Sequence, residues 1–142
     1  MIIETKRFGN LDIEEKDIIE VVGGLLGFEE TKKYILLDHD AETPFKWLQA
    51  VDYPELAFVV MEPFIFFPDY QFDLSDNDVQ ELELLKPEEA TVFAILVVPE
   101  NPKKISCNIK APIVINRKNK RGKQIVLNNE AYPVKFYLFP EE

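Results

Sequence analysis

With 142 residues, 46% of them hydrophobic, the chain can bury a core as one domain without metal or disulfide staples, and it is not of disordered composition. Its net charge of -10 is uneven: residues 1–100 hold seven Lys+Arg against 23 Asp+Glu, a balance of -16, and residues 101–142 hold nine against three, a balance of +6. An acidic body of this kind repels nucleic acid and anionic membrane and draws basic proteins inward, but an acidic excess more often serves solubility alone, so the charge by itself decides little.

The opening MIIETKRFGN carries a charge by its fourth residue and has no apolar signal region. The longest apolar run, VFAILVV at 92–98, falls far short of the ~20 residues that span a bilayer. The single Cys107 cannot form an internal bridge, which fits a reducing compartment. A cytoplasmic protein, monomeric when free, is the expectation.

Ten prolines and short apolar runs at regular spacing predict a mainly β, single-domain, antiparallel barrel-like fold over residues 1–142. In chain order the predicted strands are 2–7, 18–21, 34–38, 45–50, 56–61, 91–98, 106–110, 113–116, 124–127 and 134–139. AFVVM, TVFAILVV, PIVIN and QIVL are rich in β-branched and aromatic residues, which suit a half-buried pleated surface. One short helix is predicted after Ser75, where Asp76 and Asp78 follow a capping serine and Val79, Leu82 and Leu85 share a face. A second turn opens at Pro87-Glu88-Glu89, with proline at a first helical position and acids in the first turn.

Between these elements, VGGLLGFE at 22–29 carries glycines at 23, 24 and 27. It lacks the lysine and Ser/Thr of a phosphate loop, so it reads as a turn needing positive φ, with Leu25, Leu26 and Phe28 tucked into the core. RKNKRGK at 117–123 reads as a hairpin loop with five basic residues. Without interleaved aromatics to stack bases, it is better taken as a solvated tip that discourages edge pairing than as a nucleic-acid finger.

Little in the chain nominates catalysis. His39 stands between Asp38 and Asp40, yet a strand would send those acids to the opposite face. There is no nucleophile elbow, and the adjacent acid pairs Glu14/Glu15, Glu29/Glu30 and Glu88/Glu89 read as solvated faces. No catalytic residue, cofactor or metal ligand is predicted, and an Asp/Glu hydrolase, whose two acids can lie far apart in the chain, stays open with no pair nominated.

The segment FIFFPDYQFDL at 64–74 is the unusual one. Pro63 and Pro68 remove backbone donors, so it is not a central strand. Phe64, Phe66 and Phe72 are predicted core; Phe67 and Tyr70 are predicted to reach the surface beside Asp69. Rigid aromatics ringed by aspartates suit a partner with apolar and basic character. The candidate partner-binding residues are therefore Phe67, Asp69, Tyr70, Asp73 and Asp76.

TKRFG at 5–9, Ile18-Ile19, GLLGFE at 24–29, Leu48-Gln49, PELAF at 54–58, FFPDYQFDL at 66–74, NIKAPIVIN at 108–116 and GKQIVL at 122–127 follow one another in an order that resembles the bacterial flagellar assembly factor FliW family over nearly the whole chain. The stretch DHDAETP at 38–44 and the tail after Asn128 depart from that pattern. The resemblance implies a small antiparallel β-barrel-like domain, no enzymatic activity, and two protein partners. These are flagellin and the RNA-binding translational repressor CsrA, which a FliW protein antagonises until flagellin occupies it. Two other readings stay open: an enzyme or ligand-binding module with a cavity near His39 or the 64–74 loop, and a nucleic-acid-binding barrel using the 117–123 hairpin.

Overall fold

The structure, a computed structural model, describes residues 1–38 and 43–139. Ten strands run in chain order: β1 (Ile2–Thr5), β2 (Gly9–Asp12), β3 (Ile19–Val21), β4 (Lys33–Asp38), β5 (Lys46–Ala50), β6 (Ala57–Met61), β7 (Ala90–Val97), β8 (Ser106–Asn116), β9 (Arg121–Gln124) and β10 (Phe136–Tyr137). A helix, α1 (Asp76–Leu82), and short 3-10 turns at Glu15–Asp17, Pro63–Ile65, Pro87–Glu89 and Pro102–Lys104 fill the connections.

Strands β3 to β9 close into a seven-stranded ring in the order β3-β4-β5-β6-β7-β8-β9, and β9 returns to pair with β3. Every junction is antiparallel except that last one, where Glu20 sits beside Arg121 and Val21 beside Gly122 in parallel register. Gly122 lies against Ile19 and Ile115, and a Cβ there would come within 3.3 Å of both side chains. The small residue lets the two strands meet. β10 extends the ring beside β8, and β1 and β2 form a separate hairpin.

Alternation sorts the side chains into two main cores. Leu48, Ala50, Val60, Phe93, Ile113 and Ile115 belong to the cluster inside the ring. Val114, Met61, Ala94 and Leu96 point the other way, under a cover made by residues 62–85 and the chain after Ile125. Strand β8 is therefore buried on both faces, which is why PIVI reads as continuous apolar sequence. Ile3, Ile13, Ile35 and Val51 seat the β1–β2 hairpin on β4.

Several boundaries differ from expectation for physical reasons. The runs 106–110 and 113–116 are one strand, because the pairing jumps from Phe93–Ile113 to Ile95–Asn108 across a bulge. Pro112 lies in that bulge, where its missing N–H is tolerated, and the Asn108 Oδ1 accepts the Lys110 and Ala111 amides at 3.1 and 3.0 Å. The last ring strand forms at Arg121–Gln124, starting inside the basic segment, and beyond it Ile125 and Leu127 donate to the Pro112 and Lys110 carbonyls. Gly9, at φ +68, opens an unpredicted strand β2 opposite β1.

The helix after Ser75 forms as expected, with the Ser75 Oγ accepting the Asp78 amide at 3.1 Å. Leu85 lies beyond it and is 87% exposed rather than on a buried face. The glycines 23, 24 and 27 all have positive φ, as the turn reading requires. Only Leu25 of the three apolar residues there is buried; Leu26 and Phe28 are exposed.

Candidate docking groove

The aromatic segment at 64–74 folds over the outer face of the barrel as a corner. Its centre is Tyr70, which the structure places in the core, 2% exposed, with its hydroxyl donating to the Ile109 carbonyl at 2.6 Å. Burial raises the Tyr70 phenol well above the ordinary range, with smaller contributions from Tyr132 and Cys107. The expectation that Tyr70 reaches the surface is overturned. Asp69 beside it is exposed, but an irregular segment does not alternate, so one solvent-facing residue says nothing about the next.

Phe67 is half-buried, with its ring edge-on to Tyr70 and Tyr132 at 5.9 and 5.8 Å and 5.1 Å from Phe136. Tyr132 is 4.8 Å from Tyr70 and exchanges hydrogen bonds with the Gln71 backbone, accepting its amide at 3.1 Å and donating to its carbonyl at 2.9 Å. The chain after Asn128, where the family resemblance fades, thus clamps the aromatic corner. Phe66 and Phe72 are half-buried against the same core as expected, whereas Phe64 is 41% exposed.

Beside this corner runs a groove of about 760 Å³ between residues 62–74, the Val79 face of α1, residues 84–87 and the start of β7. Phe64, Phe72, Leu74, Leu84, Leu85 and Val92 supply apolar wall. Its charged side chains are Glu62 and Asp73 against Lys86 and Arg117. Of the five residues predicted to bind a partner, Tyr70 and Asp73 line it. Asp69 is exposed elsewhere on the corner, Phe67 faces the clamp, and Asp76 is exposed in the first turn of α1. Phe64 and Leu85 are the surface residues that pattern missed; the irregular backbone gives neither a period.

The groove is also the cavity that a ligand-binding reading would use. None of its lining residues is a serine, cysteine or histidine, so it holds no nucleophile–base pair of that kind. Cys107 is buried, and burial pushes its thiol up to about 11, away from reactivity. Among the described residues no group of three or more His, Cys, Asp or Glu could hold a metal ion, and no helix is long and apolar enough to cross a membrane. His39 lies outside the described residues.

The basic hairpin proves to be docked, not a solvated tip. The Lys123 Nζ pairs with Asp78 at 2.7 Å and Glu81 at 3.2 Å, and Lys118 pairs with Glu89 at 3.0 Å. The Arg121 Nε donates to the Glu81 carbonyl at 2.8 Å, and the Asn116 and Asn119 side-chain amides donate to the Leu82 carbonyl at 2.9 and 3.2 Å. The hairpin therefore satisfies carbonyls that the end of α1 leaves free. Burial pushes the Asp78 carboxyl up, but hydrogen bonds from Lys123 and Ser75 override it and hold Asp78 below the usual carboxylate range. The same pairing raises Lys123. With Arg121 also 3.6 Å from the Glu83 carboxylate, three of the five basic side chains are paired with acids far away in sequence.

Comparison with known proteins agrees with this architecture. The FliW protein family matches residues 2–138. A flagellar assembly factor FliW of Alkaliphilus metalliredigens is 44% identical over 142 residues, covering 99% of this chain and 88% of the relative. That of Ruminiclostridium cellulolyticum is 42% identical, covering 99% and 96%. A crystal structure of the flagellar assembly factor FliW superimposes with a TM-score of 0.92 at 42% identity, covering 100% of this chain and 99% of that one. With the family matched from the first strand to the last, the chain belongs to the FliW family.

Proposed function

We propose that this chain is a flagellar assembly factor that acts in the cytoplasm by docking proteins. It binds flagellin, and it binds the RNA-binding repressor CsrA and lifts repression of flagellin translation until flagellin displaces it from that task. Its near full-length relatives are named flagellar assembly factors. The observation that carries a docking role is the open, largely apolar groove built against a rigid aromatic corner.

Flagellin is the partner proposed for that groove. Its charged side chains balance, two acids against two bases, so apolar burial and shape select the occupant more than net charge does. CsrA is drawn by the acidic body as a whole, because an RNA-binding protein presents a basic face. Acidity next to a bound CsrA also repels RNA within about one Debye length of ~8–10 Å. Catalysis, a cofactor and direct nucleic-acid binding form no part of this role.

Size-exclusion chromatography of the purified protein with CsrA, and separately with flagellin, tests the proposal. It expects a stable complex with each. Failure to form either complex sinks it.

A further inference from the structure

The turn between β3 and β4 buries one of its apolar side chains and exposes two. Leu25 is 1% exposed, yet Leu26 next to it is 58% exposed and Phe28 is 41% exposed. The turn is firmly held in this form. The Gln124 Oε1 accepts the Leu26 amide at 2.7 Å, and the other end of that side chain donates to the Ala111 carbonyl at 3.1 Å. The Leu25 and Phe28 backbones bridge each other, and the Phe28 ring stands edge-on to Phe58 at 5.2 Å. Gly24, at φ +73, brings the Glu29 Cα within 2.6 Å of where a Cβ would sit, so no other residue fits there without moving the backbone.

Across from Phe28 lies the turn between β5 and β6, which presents Tyr53, 50% exposed. The two turns flank an open hollow of about 600 Å³ whose charged lining is Glu29, Glu30 and Glu55 alone. The neighbouring Lys32 and Lys33 do not line it, and among the described residues none of the three glutamates is in an ion pair. By contrast, acids on α1 are taken up by the basic hairpin. Pre-ordered apolar anchors inside an uncompensated acidic rim match a partner that offers a basic surface with apolar side chains at its centre.

We propose that this aromatic-acidic pad, formed by Leu26, Phe28 and Tyr53 with Glu29, Glu30 and Glu55, is the docking surface for the basic partner, CsrA, and is separate from the groove assigned to flagellin. The assignment rests on the functional reading above. The pad and the groove share no lining residue. Strand β6 joins them: Leu56 lines the pad and Glu62 the groove, about 20 Å apart at the usual rise of an extended strand.

The test is calorimetric titration of CsrA, and of flagellin, into the wild-type protein and into two variants. One is the triple variant Glu29→Gln, Glu30→Gln, Glu55→Gln; the other is Phe28→Ser. Both change exposed side chains, and circular dichroism verifies that each stays folded. The expected result is CsrA affinity lowered about tenfold or more in each, weakening further with added salt in the wild type, with flagellin affinity held within about twofold. Unchanged CsrA affinity in the triple variant overturns the pad while leaving the functional reading intact, and equal loss of both partners overturns its separateness. A wild-type protein that does not bind CsrA overturns the functional reading and the pad with it.

Discussion

The Tyr70 hydroxyl donates to the carbonyl oxygen of Ile109, 39 residues away in sequence, at 2.6 Å inside the core. This bond pins the aromatic corner to the bulged part of β8, so one wall of the groove inherits the rigidity of the barrel. Replacing Tyr70 by Phe removes the donor and leaves that carbonyl buried, and should cost about 1–3 kcal/mol in denaturant unfolding. Tyr70→Ala should cost about 3–5 kcal/mol, because it also leaves a cavity beneath Phe64, Phe67 and Phe72. A loss within experimental error of zero for Tyr70→Phe would show that the bond does not hold the corner.

The contact between α1 and the basic hairpin is a second fixed point. Lys123→Met leaves the Asp78 carboxylate half-buried without its cation, and should lower stability by about 1–3 kcal/mol. Lys135→Met, at an exposed position, should stay within about 0.5 kcal/mol. Urea unfolding of the two variants side by side separates the docked cation from the solvated one.

Acid should loosen the same region. Asp78 and Glu89 both have carboxyls held below their ordinary values, Glu89 chiefly by the Lys118 ammonium and then by the Leu85 amide. A depressed folded value means stability that is complete above the unfolded value of about 4 and is lost as pH falls from there through the folded values. Unfolding free energy should therefore decline below about pH 4, and Asp78→Asn with Glu89→Gln should flatten that decline. An unchanged slope in the double variant would remove these two acids as its source.

Glycine substitutions should grade the β3–β4 turn. Gly27→Ala meets no atom within 4 Å and carries only the cost of positive φ, about 1–2 kcal/mol. Gly24→Ala adds a 2.6 Å clash with the Glu29 backbone and should be the more destabilising of the two, as thermal unfolding would read. Equal losses would contradict the close approach.

Most of the barrel was legible because alternation survives in it: Leu48 and Ala50 face one way and Gln49 the other. Gln49 is fully buried, and its Nε2 is shared among the Ala50, Tyr53, Pro54 and Leu56 carbonyls, which explains a polar residue at that point of a strand. The helix was legible from its capping serine. What failed was the irregular chain, where no period relates Asp69 to Tyr70 and where Pro112 reads as a break although a bulge absorbs it. The docking of the basic hairpin was hidden by distance, since Lys123 and Asp78 are 45 residues apart. The signal was nevertheless present, as an acid-rich helix and a base-rich hairpin in one short chain.

The central claim, a docking protein with its flagellin site in the groove, is tested most directly by calorimetric titration of flagellin into the wild type and into Phe64→Ser with Leu85→Ser. Leu85 is 87% and Phe64 41% exposed, so the double variant should stay folded, which thermal unfolding checks. The expected result is a wild-type complex whose affinity falls about tenfold or more in the variant. A wild type that gives no complex, or a variant that binds as tightly as wild type, would contradict it.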